Sequence, residues 1–362
     1  MKKSRFALVL SMLSAAMNVH AQSSVTLYGS VDAGVGYVSN LRGARAFIAQ
    51  QGTLQADRWG ITGVEDLGGG LKTVFKLESG FSTINGAMAS ANTLFNRQAY
   101  VGLSDERIGT VTLGRQTDFH FEMLGPLSTA QSLGDFSAFH PGNIDGLGNT
   151  VPVELSNTVK FRSRTIAGLT LGAMYGFTNQ SSSTTGRTIS FGATYGYGPL
   201  NLAAAYSEYH DRAFNLANAL GLASFQGVPV TAAAPVIADS VRNAGIGGSV
   251  QIGRVQLHAL FTQVRIEERG QADNFRTIDG GANFQVTPAY MIGAGGWTTT
   301  FVGKRWTQVT IANVYSLSKL TQIYADVMVE QASSGAVAST LGIGPSSSNR
   351  QTVVLAGIHH LF

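Results

Sequence analysis

The segment Leu169-Thr170-Leu171-Gly172-Ala173-Met174-Tyr175-Gly176-Phe177 puts Leu169, Leu171, Ala173, Tyr175 and Phe177 on one side of an extended chain. Thr170, Gly172, Met174 and Gly176 fall on the other. A two-residue alternation marks a β-strand lying between two different environments. The pattern recurs along the chain. Val25, Leu27, Val31, Val35 and Tyr37 oppose Thr26, Tyr28, Ser30 and Asp32; Leu71, Phe75, Leu77 and Phe81 oppose Lys72, Lys76 and Glu78. Ile189, Phe191, Ala193 and Tyr195 oppose Ser190, Gly192 and Thr194, and Val255, Leu257, Ala259 and Phe261 oppose Gln256, His258 and Thr262. Ile323, Ala325, Val327 and Val329 oppose Gln322, Asp326 and Glu330. Charges keep to the polar side. Two places break the rule: Arg115 shares parity with Val111 and Leu113 and so belongs past a strand end or after a bulge, and the last strand, Gln351–Phe362, is apolar on both parities for several residues.

Composition says what lies on the two sides. Charged residues are 13% of the chain, against about 25% in ordinary proteins. Glycine contributes 44 of 362 residues, and there is no cysteine, so neither a disulfide framework nor a thiolate metal site is available. Lys2, Lys3 and Arg5 before the apolar run Phe6 to Met17, with Val19-His20-Ala21 ahead of Gln22, read as an export signal over residues 1–21. Without those three cations the Lys+Arg count falls from 25 to 22 against 21 Asp+Glu, so the mature chain is near neutral. No basic run supports a nucleic-acid partner. After the signal no apolar stretch approaches the ~20 residues of a spanning helix. The remaining way across a bilayer is a closed β-barrel, whose neighbouring strands satisfy every backbone group. A soluble sandwich also alternates, but low charge, a Gly/Ser/Thr second face and aromatics near strand ends (Tyr28, Tyr37, Trp59, Tyr100, Tyr175, Tyr195, Phe362) argue for the barrel.

Short turns are expected at 65–70, 104–109, 165–168, 196–199, 253–254, 287–288 and 316–319. Longer loops are expected at 39–55, 82–93, 117–156, 178–186, 209–240, 267–274, 299–303 and 331–350. Seven turns alternating with eight loops predict sixteen strands of about 9–11 residues. The fold expected is therefore an all-β, transmembrane, antiparallel up-and-down barrel forming one domain, residues 22–362. Thr117–Ser156 is the odd stretch: alternation stops for about forty residues, longer than structureless loops usually run unless they are functional. It carries Asp118, Glu122, Asp135 and Asp145, and it is flanked by Arg97, Arg115, Lys160, Arg162 and Arg164.

From Ser24 to Phe362 the chain resembles the general-diffusion trimeric porins of Gram-negative outer membranes. The resemblance rests on Val25-Thr26-Leu27-Tyr28-Gly29, on Asp57-Arg58-Trp59-Gly60, and on Gly63-Val64-Glu65-Asp66-Leu67-Gly68-Gly69-Gly70-Leu71-Lys72. It continues through Leu77-Glu78-Ser79-Gly80-Phe81, Phe95-Asn96-Arg97-Gln98-Ala99-Tyr100-Val101-Gly102-Leu103 and Leu113-Gly114-Arg115-Gln116. Asn157-Thr158-Val159-Lys160-Phe161 and the closing Gly357-Ile358-His359-His360-Leu361-Phe362 complete it. It implies a homotrimer in outer-membrane lipid and lipopolysaccharide, periplasmic termini, a third external loop (117–156) folded into the lumen, and Phe362 as the signal read by the outer-membrane assembly machinery. It also implies wall cations Arg58, Arg97 and Arg162, with Lys160, Arg164, Arg115 and Lys76 beside them, facing loop carboxylates Asp118, Glu122, Asp135 and Asp145 across a constriction. Two departures stand out: Ser30 replaces a lysine found in some members, and the loop lacks the Pro-Glu-Phe-Gly stretch of enteric members.

Such a pore passes inorganic ions and small hydrophilic solutes, and five wall cations against three or four carboxylates predict a weak anion preference. The alternatives are a substrate-specific channel and a non-conducting structural or adhesive barrel; saturable solute competition separates the first, planar-bilayer conductance the second. Catalysis is not expected, because nothing places a nucleophile, base and orienting group together. No metal site or cofactor is expected either: His120, His140, His210 and His258 lack ligand spacing, His359 and His360 point to opposite faces, and Gly68-Gly69-Gly70 is not followed by the Gly-Lys-Ser/Thr of a phosphate loop.

Overall fold

The computed structural model describes residues 23–148, 154–178 and 186–362. The expected export signal, most of the loop at 178–186 and residues 149–153 of the long loop lie outside the described residues. The chain forms one closed barrel of sixteen antiparallel strands, each paired with its sequence neighbours. They are β1 (Ser24–Leu41), β2 (two arms, Ala44–Gln51 and Arg58–Gly68), β3 (Leu71–Gly80), β4 (Gln98–Asp105), β5 (Gly109–Thr117) and β6 (Glu154–Ser163). There follow β7 (Leu169–Gly176), β8 (Thr188–Tyr197), β9 (Leu200–Phe214), β10 (Val236–Ile252) and β11 (Val255–Glu268). The last five are β12 (Gln271–Thr287), β13 (Tyr290–Phe301), β14 (Lys304–Ser316), β15 (Thr321–Ala332) and β16 (Arg350–Leu361). Both arms of β2 lie along β1, as Val35↔Ala49 and Leu27↔Ile61, so residues 52–57 are an inward excursion within one strand.

Closure runs through β16 against β1, from Val38↔Val353 to Ser30↔Leu361. It ends where Gly29 and Phe362 exchange backbone hydrogen bonds of 2.9 and 3.1 Å. The Phe362 ring lies directly over Gly29, where a Cβ would run into it. Gly29→Ala should therefore displace the terminal ring and weaken closure by about 1–3 kcal/mol, the usual effect of overpacking. The check is the temperature at which the folded, fast-migrating form is lost on SDS gels; an unchanged temperature would mean the ring has room elsewhere.

Burial is inverted relative to a soluble protein. Leu171, Phe191 and Val327 are 49, 52 and 42% exposed, while Ser190, Thr262, Asp326 and Glu330 are at 0%. The apolar side of each strand looks outward and the polar side inward, as alternation required. The two irregularities also have causes. Arg115 sits at a register shift between Gly114 and Gln116. Val353 and Leu355 of β16 face inward because they pack with Val38, Tyr324 and Met328 beneath the loops.

Three of the eight expected long loops are corrected by the structure. The segments 39–55, 267–274 and 299–303 are mostly strand, closed by the pairs Arg42-Gly43, Arg269-Gly270 and Val302-Gly303. All six residues have positive φ, between 45° and 106°, the geometry of a two-residue hairpin turn whose twist matches the strands. The polar residues there are rungs of strand ladders, which run longer than a bilayer crossing needs. β10 and β12 each have 17 residues, well above the 9–11 a membrane requires. The expected loop 209–240 likewise narrows to 215–235.

Candidate functional site: a constriction between a basic wall and an inward loop

The connection between β5 and β6 folds into the lumen and divides it unequally. Its apolar residues Phe119, Met123, Leu124, Leu127 and Leu147 pack against Met174, Ala203, Ala205 and Leu260 of the wall. Inward glycines make room for it: a Cβ at Gly192 would stand 2.5 Å from the Met123 sulfur, and one at Gly293 would strike Leu133. The loop is thus pressed onto strands β7 to β13, and the free passage lies on the side of β2 to β6.

That free side is basic. Arg58 opens the second arm of β2, Lys76 and Glu78 lie on the inward face of β3, and Arg97 precedes β4. The Glu78 carboxylate is their shared partner, 2.7 Å from Arg97 Nε, 3.4 Å from Lys76 Nζ and 3.8 Å from Arg58 Nε. It also accepts from the Tyr28 hydroxyl at 2.7 Å. Three cations converge on one carboxylate, and because Glu78 is itself buried, the Arg58 and Lys76 side chains, 22 and 25% exposed, are what the lumen meets. Glu78 was visible to the sequence as a polar-face residue of β3, but its position among three cations appears only once β2, β3 and β4 are in register.

A second basic group lies beside the first. Lys160 is buried, donates to Thr117 O at 2.8 Å and pairs with Glu122. Glu122 also accepts from the Thr117 hydroxyl at 2.8 Å. Arg162 joins Lys76, Tyr100, Phe121, Glu122 and Lys160 around a cavity of about 340 Å³. The adjoining space, about 350 Å³, is bordered by Arg58, Lys76 and Arg97 on the wall and by Phe121, Gln131 and Phe136 on the loop.

The structure brings Arg58, Lys76, Arg97, Lys160, Arg162 and Glu122 together at this passage. It places Asp118, Asp145, Arg115 and Arg164 elsewhere, and Asp135 at the edge of the passage. Asp118 turns to the opposite wall, accepting from Tyr209 and, at 3.1 Å, from the Ser207 hydroxyl. Burial would raise its carboxyl, but His120, the Tyr209 hydroxyl and the Arg212 charge outweigh burial and hold it at about 2. Asp135, 1% exposed, borders the passage, but one of its oxygens caps the turn at Ser137 N (2.8 Å), and burial pushes its carboxyl above the ordinary range. Asp145 is buried against β11. Arg115 bridges Asn96 O and the Ser156 hydroxyl, each at 2.7 Å, and Arg164 is exposed in the turn after β6.

Why the loop carboxylates turn away follows from how the loop is held. His140 sits between Asp145, 2.6 Å from its Nδ1, and Asp279 of β12, 2.9 Å from its Nε2. Asp279 also accepts from Thr129 N and, at 2.6 Å, from its hydroxyl. Asp145 accepts from Thr262 at 2.6 Å, and the Trp297 indole donates to Ala138 O at 2.9 Å. Burial alone would lower the His140 pKa; the Asp145 and Asp279 charges outweigh it and lift it to about 10, so the ring is held as a cation between two carboxylates. Among the described residues no cluster of three side chains fit to hold a metal ion is found.

Comparisons with known proteins agree with this geometry. The family model described as Gram-negative porin matches residues 7–334. An outer membrane porin protein of Bordetella pertussis is 35% identical over 216 residues, which is 52% of this chain and 54% of that protein; the match thus spans about half the relative's length. Outer membrane porin protein 32 of Delftia acidovorans is 29% identical with both chains covered fully. Among solved structures, an anion-selective porin from Comamonas acidovorans superposes with a TM-score of 0.76 at 23% identity, covering 94% of this chain and all of that one; at this identity the likeness is one of fold.

Proposed function

Because this chain belongs to the Gram-negative porin family, we propose that it works as a general-diffusion channel for ions and small hydrophilic solutes, with a preference for anions. One observation carries the preference. Arg58, Lys76, Arg97, Lys160 and Arg162 border the passage, Glu78 and Glu122 are paired within it, Asp135 at its edge is pushed toward its uncharged form by burial, and Asp118 and Asp145 lie turned away behind the loop. A unit charge about 6 Å away in water-like surroundings contributes ~0.7 kcal/mol, and salt at 0.1 M screens over about 10 Å. A surplus of two to three cations then favours anions by about three- to tenfold and excludes neither sign.

Export with removal of residues 1–21, residence in outer-membrane lipid and lipopolysaccharide, assembly as a homotrimer, and recognition of Phe362 by the assembly machinery belong to the same reading. So does a channel role in place of an enzymatic one. The test is the reversal potential of the purified protein in a planar bilayer across a KCl gradient. The expected sign is that of chloride carrying the larger share; a cation-selective wild type would overturn the wall-dominated reading, and a barrel that never conducts would overturn the channel itself.

A further inference from the structure

At the long-loop end of the barrel, away from the basic wall, lies a cavity of about 600 Å³. That volume is within the range of small-molecule sites. Four separate parts of the chain build it: the first hairpin tip (Arg42), the inward loop (Ile144), the top of β9 with the residues after it (Arg212, Leu216), and the loop before β16 (Leu341, Ile343). Its walls carry two guanidinium groups and no carboxylate. Arg212 is held in place: it is 8% exposed, with its guanidinium 4.3 Å from the centre of the Tyr209 ring and 5.4 Å from that of Phe214. Its Nε is buried without a hydrogen-bond acceptor. Asp118, on the far side of Tyr209, offsets part of its charge; Arg42, exposed at the hairpin tip, lies in no ion pair among the described residues.

From this we propose that the cavity is a binding site for small organic anions with an apolar body, separate from the constriction. The carboxylate lies between Arg42 and Arg212, and the hydrocarbon part rests on Ile144, Leu216, Leu341 and Ile343. Beside its aliphatic residues the lining carries Asn143, Asn215, Asn218, Ser339 and Thr340, and the low-dielectric aliphatic side strengthens attraction between a fixed cation and an anion. A guanidinium packed against two rings meets a carboxylate with little further loss of side-chain freedom. A fully hydrated inorganic ion gains nothing from the aliphatic side and has no reason to stay.

Isothermal titration of the purified full-length protein in detergent, with 2-naphthoate and acetate as probes, reads the site without relying on conductance. Saturable binding of 2-naphthoate at least tenfold tighter than acetate is expected. Arg42→Gln together with Arg212→Gln should weaken it tenfold or more. Arg212 also acts on Asp118, so Ile343→Ser, outside that network, is the second variant; it should weaken 2-naphthoate several-fold and leave the KCl reversal potential unchanged. Arg58→Ala with Arg97→Ala should leave 2-naphthoate binding unaltered. The proposal is overturned by 2-naphthoate binding no better than acetate, by indifference to both sets of pocket variants, or by binding that falls with the wall variants instead.

Discussion

Replacing His140 by alanine is expected to destabilise the folded barrel by about 3–5 kcal/mol and to turn a quiet channel into a noisy one. The magnitude follows from what the substitution leaves behind. Asp145 and Asp279 are both fully buried, and His140 is the cation between them, at 2.6 and 2.9 Å. Removing one partner of a buried charged cluster strands the others, which is far worse than never having built it. The triple variant His140→Ala, Asp145→Asn, Asp279→Asn should therefore recover much of the loss, since the amides no longer carry charge and Thr129 and Thr262 still find acceptors. Thermal unfolding in detergent checks the stability, and single-channel records check the loop: a segment released from β12 should visit more than one position and give several conductance levels. Stability and current noise both at wild-type values would show that the loop is held by its apolar packing alone. The pH dependence has a definite sign. His140 is raised from about 6.5 to about 10, so its contribution is complete below the ordinary imidazole range and is lost as pH rises through 10. Asp145 shifts the other way: burial opposes its charge, but His140 more than offsets this and lowers it, so its contribution fades as pH falls below the ordinary carboxylate range. Anchoring should be strongest between these limits.

The same cluster shows how far the sequence could be read. Alternation at Leu169–Phe177 and its repeats gave the barrel, because membrane and lumen impose opposite demands on neighbouring residues. The length of 117–156 marked the inward loop for a similar reason: no alternation survives where a segment has neither lipid nor a strand partner beside it. What stayed hidden depended on pairing between distant strands. Asp279 and His140 are 139 positions apart, and nothing in either neighbourhood signals the other. His140 carries no signal in the sequence, because neither metal-ligand spacing nor a neighbouring nucleophile marks it. The resemblance to the porins implies that the loop carboxylates face the passage, yet Asp118 and Asp145 serve to fasten the loop, since a buried segment must satisfy its own polar groups before it can present any to solute. Hairpins such as Arg269-Gly270 carry no turn signal in the sequence, because the residue before glycine is not the usual Asn or Asp.

Arg58→Ala with Arg97→Ala should move the permeability ratio toward cations by about three- to tenfold. Two charges about 6 Å from the passage account for ~1.4 kcal/mol unscreened, near a factor of ten, and screening at ordinary salt removes about half of the energy. The local arithmetic supports the upper part of that range. With both arginines gone, Glu78 is left facing Lys76 alone at 3.4 Å, so the first basic group becomes neutral and Arg162 is the one surplus cation near Lys160 and Glu122. The mirror experiment is Glu78→Gln. It keeps an acceptor for the Tyr28 hydroxyl, which now lies 2.7 Å from the carboxylate, while freeing the charge of the three surrounding cations, and should raise anion preference about two- to threefold. Reversal potentials in matched KCl gradients read both. If neither variant moves the potential, these side chains do not border the bottleneck and selectivity is set by Lys160 and Arg162. If Glu78→Gln shifts it toward cations, the three like charges have spread apart without their shared carboxylate, and Glu78 acts as the keystone that keeps the wall basic at this spot.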